Sequence, residues 1–467
     1  MKKSIIIGTI SLVLISLFTG CGGDSTVQLI TTPTGTTVTA TPTTGTGATA
    51  TPTTGTGATA TPTTGTGADG VYTQNGGTVS QTGKSYSSTT ADISAVTIDG
   101  SGNFTLTDST ITKSGNTSSA DNSSFYGLNA GVLVKGSSKM TLSNSKVTTT
   151  GTGANGIFAY GSGAEINVSD TTVICTAQLG HAVMASGGGK LTVSNVNMAT
   201  DGANSGAIAT DRGGGTISVT GGNVTTSGAD APGIYSTGTI TVSGATISAT
   251  GSEGAVIEGA NSIALIDTSL TSSKANKWGV LIYQSMSGDA EGTQGTFTMN
   301  GGTLAHTATD GPLFYVTNST GIITLKGVNV TAASGTIIKA STGNWGTGGS
   351  NGGKVNFTAD GQSLTGNLIA DSSSTITAVL QNSSSLNGYI NSGSSAGAIN
   401  LTMDSSSIWN VTADSYLTSL SDTGGISGTT ITNITGNGHT VYYSSSACPA
   451  LGGKTYTLNG GGSLVPR

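Results

Sequence analysis

Apolar and polar residues alternate in short blocks along most of the chain beyond residue 70. Nine blocks, beginning at residues 104, 140, 166, 191, 217, 240, 263, 297 and 323, read FTLTDSTITKSG, MTLSNSKVTTTG, INVSDTTVICTA, LTVSNVNMATDG, ISVTGGNVTTSG, ITVSGATISATG, IALIDTSLTSSK, FTMNGGTLAHTA and ITLKGVNVTAAS. In most of them a turn rich in Asn, Asp and Gly joins two alternating pieces. Alternation with a period of two indicates strands with one buried face.

Most blocks are followed by a third short apolar piece, such as GIFAY, AVMAS, AIATD, GIYST, AVIEG and GVLIY. Successive blocks start 23 to 26 residues apart, except for two longer intervals of 36 and 34 residues. Two or three short strands in a repeat of this length are typical of one coil of a parallel β-helix. We therefore predict an all-β fold, a right-handed parallel β-helix (β-solenoid) of about fifteen coils spaced by roughly 4.8 Å.

The alternation also predicts which side chains face the core. Phe104, Leu106, Met140, Leu142, Ile240 and Val242 should point inward and stack on their counterparts in neighbouring coils, whereas Thr105, Thr141, Thr192, Thr241 and Thr324 should form an outward column. We place the β-helix at residues 69–440 and a C-terminal cap at 441–463. The last four residues, Leu464–Arg467, match a thrombin-cleavage scar or are a native tail.

The first 68 residues have a different composition. Lys2 and Lys3 precede an apolar run that is too short for an ordinary membrane span, and the run ends at Cys21. Residues 1–20 resemble a bacterial lipoprotein signal, which implies lipidation of Cys21; an ordinary secretory signal is the alternative. Residues 21–68 contain TATPTTGTGA three times, and this Thr/Pro/Gly-rich composition is typical of a disordered linker.

Charge and cysteine content exclude several partners. Only 8% of residues are charged, the net charge is −6, and no Lys/Arg cluster is present, so we expect no nucleic acid partner. The cysteines other than Cys21 are Cys175 and Cys448, and they should lie too far apart in an elongated fold to form a disulfide. We expect contact with a membrane only through the N-terminal lipid, at the outer membrane or cell surface.

The lipoprotein signal, the linker and the T-[LVI]-[ST]-[NDG] coils together resemble bacterial surface proteins with right-handed parallel β-helix repeats, the pectin-lyase-like superfold, and are similar to autotransporter passenger domains. The resemblance covers residues 70–467, and the segment from Val256 onward is similar to uncharacterised members. It implies a fold but no single activity, because this superfold hosts lyases, hydrolases, adhesins and tailspikes.

The residues give little support for catalysis. A lyase of this superfold would place a basic residue near an acidic calcium cluster, and Arg212 is the sole arginine before Arg467; we interpret it as half of a surface ion pair. The three histidines have no metal-site spacing, so we predict no metal and no cofactor. Carboxylates with backbone carbonyls could also take Ca²⁺, but the calcium-loop spacing DxDxDG that would support it is absent.

One constellation of side chains remains. Alignment of the third strands brings a group of charged residues to one edge of the solenoid, beside Trp278 and Tyr283 and near an inserted loop from Gln284 to Gly295. The predicted ligand-binding residues are Asp230, Glu253, Lys277, Trp278, Tyr283, Asp289, Glu291 and Asp310. Aromatic rings beside carboxylates can hold sugars. The alternative is that these acids only solubilise turns.

Three functions follow as hypotheses. The first is a lipid-anchored surface β-helix that binds an extracellular polysaccharide or another surface molecule, as an adhesin-like or glycan-binding protein without catalysis. The second is a polysaccharide lyase or glycoside hydrolase, and the third is a structural surface rod. The outward threonine column also allows ice binding, which the irregular coil lengths and interrupting Ser, Asn and Lys residues disfavour.

Overall fold

The computed structural model describes residues 70–422 and 424–467. They form an all-β parallel solenoid of about 16 turns, so the predicted parallel β-helix is confirmed. The predicted signal sequence, Cys21 and the predicted linker lie outside the described residues. None of the described helices is long and apolar enough to cross a membrane.

Three parallel sheets run along the solenoid, and the chain visits the 12-strand, the 14-strand and the 10-strand sheet in turn. The 12-strand sheet contains Tyr72–Asn75, Val96–Asp99, Ala130–Lys135, Asn155–Tyr160, Val183–Ser186, Ile208–Thr210, Ile234–Ser236, Ala255–Glu258, Val280–Tyr283, Phe314–Thr317, Thr336–Ala340 and Asn367–Ala370. The 14-strand sheet contains Thr78–Thr82, Asn103–Thr107, Lys139–Ser143, Glu165–Ser169, Gly189–Ser194, Gly215–Thr220, Thr239–Ser243, Ser262–Ile266, Gln294–Asn300, Thr320–Lys326, Lys354–Asp360, Thr375–Gln381, Ala398–Met403 and Ser419–Ser421.

The 10-strand sheet forms the third wall of the first turns. It contains Ser85–Ser88, Thr110–Lys113, Lys146–Thr149, Thr172–Cys175, Asn197–Thr200, Asn223–Thr226, Thr246–Ala249, Ser269–Ser272, Thr303–His306 and Asn329–Ala332. A fourth sheet lies near the C-terminus and contains Ser363–Thr365, Ser385–Asn387, Ile408–Asn410, Ser415–Leu417, Ile426–Ser427, Thr430–Thr435, Thr440–Tyr443, Tyr456–Asn459 and Ser463–Pro466.

The core consists of side chains stacked in register from turn to turn. Phe104 pairs with Met140, which pairs with Ile166, and all three are buried. The other residues predicted to face inward, Leu106, Leu142, Ile240 and Val242, are fully buried as well. The predicted threonines occupy the central outward column of the 14-strand sheet, in which Thr105 pairs with Thr141. The turns between the other predicted threonines place different residues in this column: Asn167, Ser218, Ala264 and Thr298.

One left-handed residue makes most turns between the 14-strand and 10-strand sheets. Asp108, Asn144 and Asp170 have φ values of 50°, 48° and 46° at this position, and Gly244 takes it four turns after Asn144. Asn, Asp and Gly tolerate this conformation, whereas branched side chains clash with the backbone. Asn, Asp and Gly therefore recur at this turn in the sequence because its backbone must adopt the left-handed conformation.

The C-terminal residues belong to the fold. Leu464 is fully buried, strand Ser463–Pro466 pairs in parallel with Thr440–Tyr443, and the backbone N–H of Arg467 donates to the Tyr443 carbonyl at 2.9 Å. The same strand pairs in antiparallel with Tyr456–Asn459, and a 3₁₀ helix spans Pro449–Leu451. Cys175 and Cys448 are separate buried thiols.

The outer face of the 12-strand sheet carries the large insertions. Helix α1, Ala120–Tyr126, lies in the first of the long intervals, begins after the N-cap Ser119 and ends at the left-handed Gly127. Residues 284–293 follow strand Val280–Tyr283, and residues 341–353 follow strand Thr336–Ala340. Both of these loops therefore leave the sheet at the same end of its strands.

Candidate functional site

An apolar column lies on the outer face of the 12-strand sheet. Leu133, Phe158, Met184 and Ala209 occupy successive outward positions and form a buried cluster separate from the core. Tyr235 is the next residue in this register. Helix α1 lies against this cluster, since a side chain at Gly127 would come within 2.8 Å of Leu133 and Phe158.

Glu258 organises the polar part of this face. Its side chain is buried, and its carboxylate accepts hydrogen bonds from the phenol of Tyr283 at 2.8 Å, from the phenol of Tyr235 and from the hydroxyl of Ser285. Burial raises the pKa of Tyr235 well above its ordinary value, with further contributions from Tyr283 and Glu258, so this phenol remains a donor. Glu258 thus joins three successive strands and the inserted loop.

Arg212 joins the other side of the same group. Its guanidinium lies 2.7 Å from the Asp289 carboxylate and stacks over the Phe125 ring of helix α1 at 4.0 Å. Arg212 is therefore one half of an ion pair, as the sequence suggested, and its partner lies in the inserted loop. Asp289 also accepts a hydrogen bond from Ser287 at 2.9 Å.

The loop of residues 284–293 is held by specific contacts. The buried Gln284 side chain donates to the carbonyls of Ala290 and Gly292 at 3.0 and 2.7 Å, and the Asn318 amide donates to the Gln284 carbonyl at 2.6 Å. The backbone N–H of Ala260 donates to the Glu291 carbonyl at 2.7 Å. The loop therefore folds back over the sheet toward earlier turns.

Asp211 is the titratable group of this face. Its pKa is raised to about 7, chiefly by burial and to a smaller extent by the carboxylates of Asp289 and Glu258, against the opposing effect of a hydrogen bond from the Arg212 backbone N–H. We call Asp211, Arg212, Tyr235, Glu258, Tyr283, Ser285 and Asp289 the Glu258 cluster. It combines a carboxyl group whose pKa is raised to about 7 with the side chains of two further acids and one guanidinium group.

Two aromatic pairs flank the strand Val280–Tyr283. At its end, the rings of Tyr283 and Trp345 lie 4.6 Å apart with an interplanar angle of 52°. Before its start, Trp278 stacks on Tyr315 with centroids 4.4 Å apart and an angle of 23°. Both tryptophans are partly exposed, so part of each ring remains accessible on the surface.

A second polar group lies where the strands of the 12-strand sheet begin. The ammonium group of Lys277 is 2.6 Å from an Asp230 oxygen and 3.5 Å from a Glu253 oxygen, and Glu253 is fully buried. Asp310 accepts a hydrogen bond from the backbone N–H of Asn276 at 2.8 Å, next to Lys277. We call Asp230, Glu253 and Lys277 the Lys277 cluster.

The predicted site residues thus divide between two places. Asp230, Glu253, Lys277, Trp278 and Asp310 lie near the start of strand Val280–Tyr283, whereas Tyr283 ends this strand and Asp289 lies in the loop after it. The side chain of Glu291 is exposed. Sequence reasoning did not select Asp211, Tyr235, Glu258, Ser285 or Trp345. Asp211 is the last residue of AIATD, and Glu258 is the acid of AVIEG. Their matching places in the repeat could have indicated that they share one outward column of the 12-strand sheet.

Metal coordination finds no support in the described part of the chain, where no group of three or more His, Cys, Asp or Glu side chains could hold an ion. His306 is buried, with its Nδ1 atom 2.8 Å from the Ser272 hydroxyl. Burial lowers the pKa of His306, so the ring is neutral at physiological pH.

Comparisons with known proteins found no matching family model, no similar curated protein and no similar solved structure. The fold class therefore rests on the structure itself, and the likeness to pectin-lyase-like surface proteins stays a resemblance of motifs.

Proposed function

We propose that this protein binds an extracellular polysaccharide on the outer face of its 12-strand sheet, at the Glu258 cluster. The observation that carries the proposal is the Tyr283–Trp345 ring pair beside the hydrogen-bonded carboxylate of Glu258. Sugar rings stack their C–H faces on aromatic side chains, and their hydroxyl groups bind carboxylates and guanidinium groups. The partly exposed Trp345 offers the stacking contact, and the Arg212 guanidinium, whose side chain is 47% exposed, offers hydrogen-bond donors on the same surface.

The charges around the site favour a particular class of polysaccharide. Even without Asp211, the acids Glu258, Asp289 and Glu291 outnumber Arg212, whose guanidinium is already paired with Asp289. A polyanion such as pectate would meet repulsion from these acids. The ligand is therefore a neutral polysaccharide or one that contains amino sugars.

Attachment to the cell surface is the second part of the proposal. Lipid on Cys21 and the linker of residues 21–68 would hold the solenoid away from the membrane, as in an adhesin-like surface protein. Expression of the full chain and its Cys21→Ala variant tests this part. The wild-type protein should sediment with membranes and the variant should not; equal release of both into the soluble fraction would contradict lipid anchoring.

Affinity electrophoresis of the full chain in gels containing neutral, amino-sugar or uronate polysaccharides tests the binding proposal. Retardation by neutral or amino-sugar polymers is expected, and the Trp345→Ala variant should lose it. Tyr442→Ala is the matched control, because Tyr442 stacks on Tyr416 at 4.7 Å in the last turns of the solenoid. Retardation only by uronate polymers would contradict the charge argument.

Glycoside hydrolysis is the second candidate, and the pKa of Asp211 favours it. A carboxyl group whose pKa is raised to about 7, with further carboxyl groups beside it, is the arrangement that glycosidases use for acid catalysis. Asp211 would donate the proton to the leaving oxygen, and Asp289 would act on the sugar. If the protein releases reducing ends from a bound polymer, and Asp211→Asn abolishes this release, hydrolysis is supported. Binding without any release of reducing ends would contradict hydrolysis and support binding alone.

A further inference from the structure

The Lys277 cluster connects three consecutive turns. Asp230, Glu253 and Lys277 precede the neighbouring strands Ile234–Ser236, Ala255–Glu258 and Val280–Tyr283. Lys277 extends past the middle turn, so that its Nζ lies 2.6 Å from Asp230 Oδ1 and 3.5 Å from Glu253 Oε1. The amine and one carboxylate are in direct contact, with a second carboxylate beside them.

Burial distinguishes this group from the surface ion pairs of the same solenoid. The side chains of Lys277 and Glu253 are 10% and 1% exposed, and that of Asp230 is 24% exposed. The Lys135–Asp99 pair, at 3.0 Å, has side chains that are 39% and 41% exposed. A buried ion pair retains a large desolvation cost that a surface pair does not have. Loss of both charges would remove that cost.

We propose that Lys277 and Asp230 condense into an intramolecular amide bond, with Glu253 as the general acid and base. Glu253 takes a proton from the Lys277 ammonium group, and the resulting amine attacks Cγ of Asp230. Glu253 returns that proton to the departing oxygen of Asp230, which takes a second proton from the attacking nitrogen. The Nζ–Cγ bond forms, the Cγ–O bond breaks and one water leaves, so no oxidant or cofactor is needed.

The surroundings favour this reaction in two ways. Fixed contact between amine and carboxyl replaces a bimolecular encounter, and such positioning is worth an effective concentration on the order of 10⁵ M or more. Ser252 donates a hydrogen bond to the other Glu253 oxygen, which orients the carboxylate with Oε1 toward Lys277. Asp230 is the most exposed of the three residues, so the released water has a route to solvent.

Trypsin digestion of the full chain under denaturing conditions gives a direct test. Without the bond, cleavage after Arg212, Lys274, Lys277 and Lys326 yields peptides 213–274, 275–277 and 278–326. With the bond, Lys277 resists cleavage, and peptide 213–274 stays joined to peptide 275–326 with a mass about 18 Da below their sum, the mass of one water. Fragmentation then places the junction at Asp230 and Lys277.

Controls separate the bond from its catalyst. Cleavage after Lys135 should be normal in the same digest, because its pair with Asp99 lies at the surface. Glu253→Gln and Asp230→Ala should each restore peptide 275–277, and Glu253→Gln should also unfold at a lower temperature than the wild type. Stoichiometric release of peptide 275–277 from the wild-type protein would overturn the proposal, and a bond that persists in Glu253→Gln would overturn the role of Glu253.

Discussion

Arg212 and Asp289 form an ion pair of 2.7 Å between residues that are 77 positions apart in sequence. Asp289 comes from the loop after strand Val280–Tyr283 and reaches back to the turn that contains strand Ile208–Thr210. Because the Arg212 guanidinium also stacks on Phe125, it connects the inserted loop with helix α1. The two insertions therefore form one surface around the Glu258 cluster.

Loss of this ion pair should loosen the loop with little effect on the solenoid. We expect Asp289→Asn to accelerate hydrogen exchange across residues 284–293 and to lower the free energy of unfolding by about 1 kcal/mol or less. Hydrogen exchange measured by mass spectrometry checks this. Asp99→Asn, which breaks the exposed pair with Lys135, is the control and should leave residues 284–293 unchanged; unchanged exchange in Asp289→Asn as well would contradict the role given to the pair.

The raised pKa of Asp211 predicts a pH dependence of stability. Because the folded state raises this pKa to about 7, the folded protein holds the proton more tightly than the unfolded chain, whose carboxyl pKa is near 4. The contribution of Asp211 to stability is therefore fully present below about pH 4 and is lost as the pH rises to about 7, by at most about 4 kcal/mol.

Chemical denaturation of the wild type and Asp211→Asn between pH 4 and 8 measures that contribution. As the pH rises, the free energy of unfolding of the wild type should fall relative to that of Asp211→Asn. The difference between the two proteins should level off above pH 7. A difference that does not change with pH would show that Asp211 has an ordinary pKa.

The left-handed turn after the strands of the 14-strand sheet should tolerate glycine but not a β-branched side chain. Asn144 has a φ of 48°, which glycine adopts readily and valine does not. Asn144→Val should lower the free energy of unfolding by about 1–2 kcal/mol or more, and Asn144→Gly should change it little. Thermal and denaturant unfolding of both variants checks this, and equal effects would argue against the left-handed turn.

Core positions should be much more sensitive than outward positions on the same strand. Phe357 is almost fully buried, so Phe357→Ala should cost about 3–5 kcal/mol through lost burial and the cavity left behind. Its neighbour Thr358 faces outward, and Thr358→Ala should cost about 0.5 kcal/mol or less. Denaturant unfolding of the two variants measures the contrast; similar losses would contradict the assigned register.

The sequence predicted the solenoid well because its rules are local. Alternation placed Phe104, Met140 and Ile240 inside, and the left-handed turns required Asp, Asn or Gly at positions such as Asp108 and Asn144. Each of these choices depends on one or two neighbouring residues, and stacking repeats it from turn to turn. Local pattern was therefore sufficient for the core.

The site was harder to predict because it depends on how insertions fold back. Asp230, Glu253 and Lys277 follow the repeat, and alignment of turns brought them together correctly. The contact of Asp289 with Arg212 depends on the path of a loop without a period, and Trp345 belongs to another such loop. Glu258 and Tyr235 lie on regular strands, but only the inserted loop brings Ser285 to Glu258.

The most direct test of polysaccharide binding at the Glu258 cluster is the dissociation constant of one retained polysaccharide, measured by titration calorimetry for the wild type, Trp345→Ala and Tyr442→Ala. We expect Trp345→Ala to weaken binding about tenfold or more, since one aromatic stacking contact contributes about 1 kcal/mol beyond its buried area. Tyr442→Ala should bind as the wild type does. Equal dissociation constants for all three proteins, or no heat of binding with any neutral or amino-sugar polymer, would contradict the proposed site.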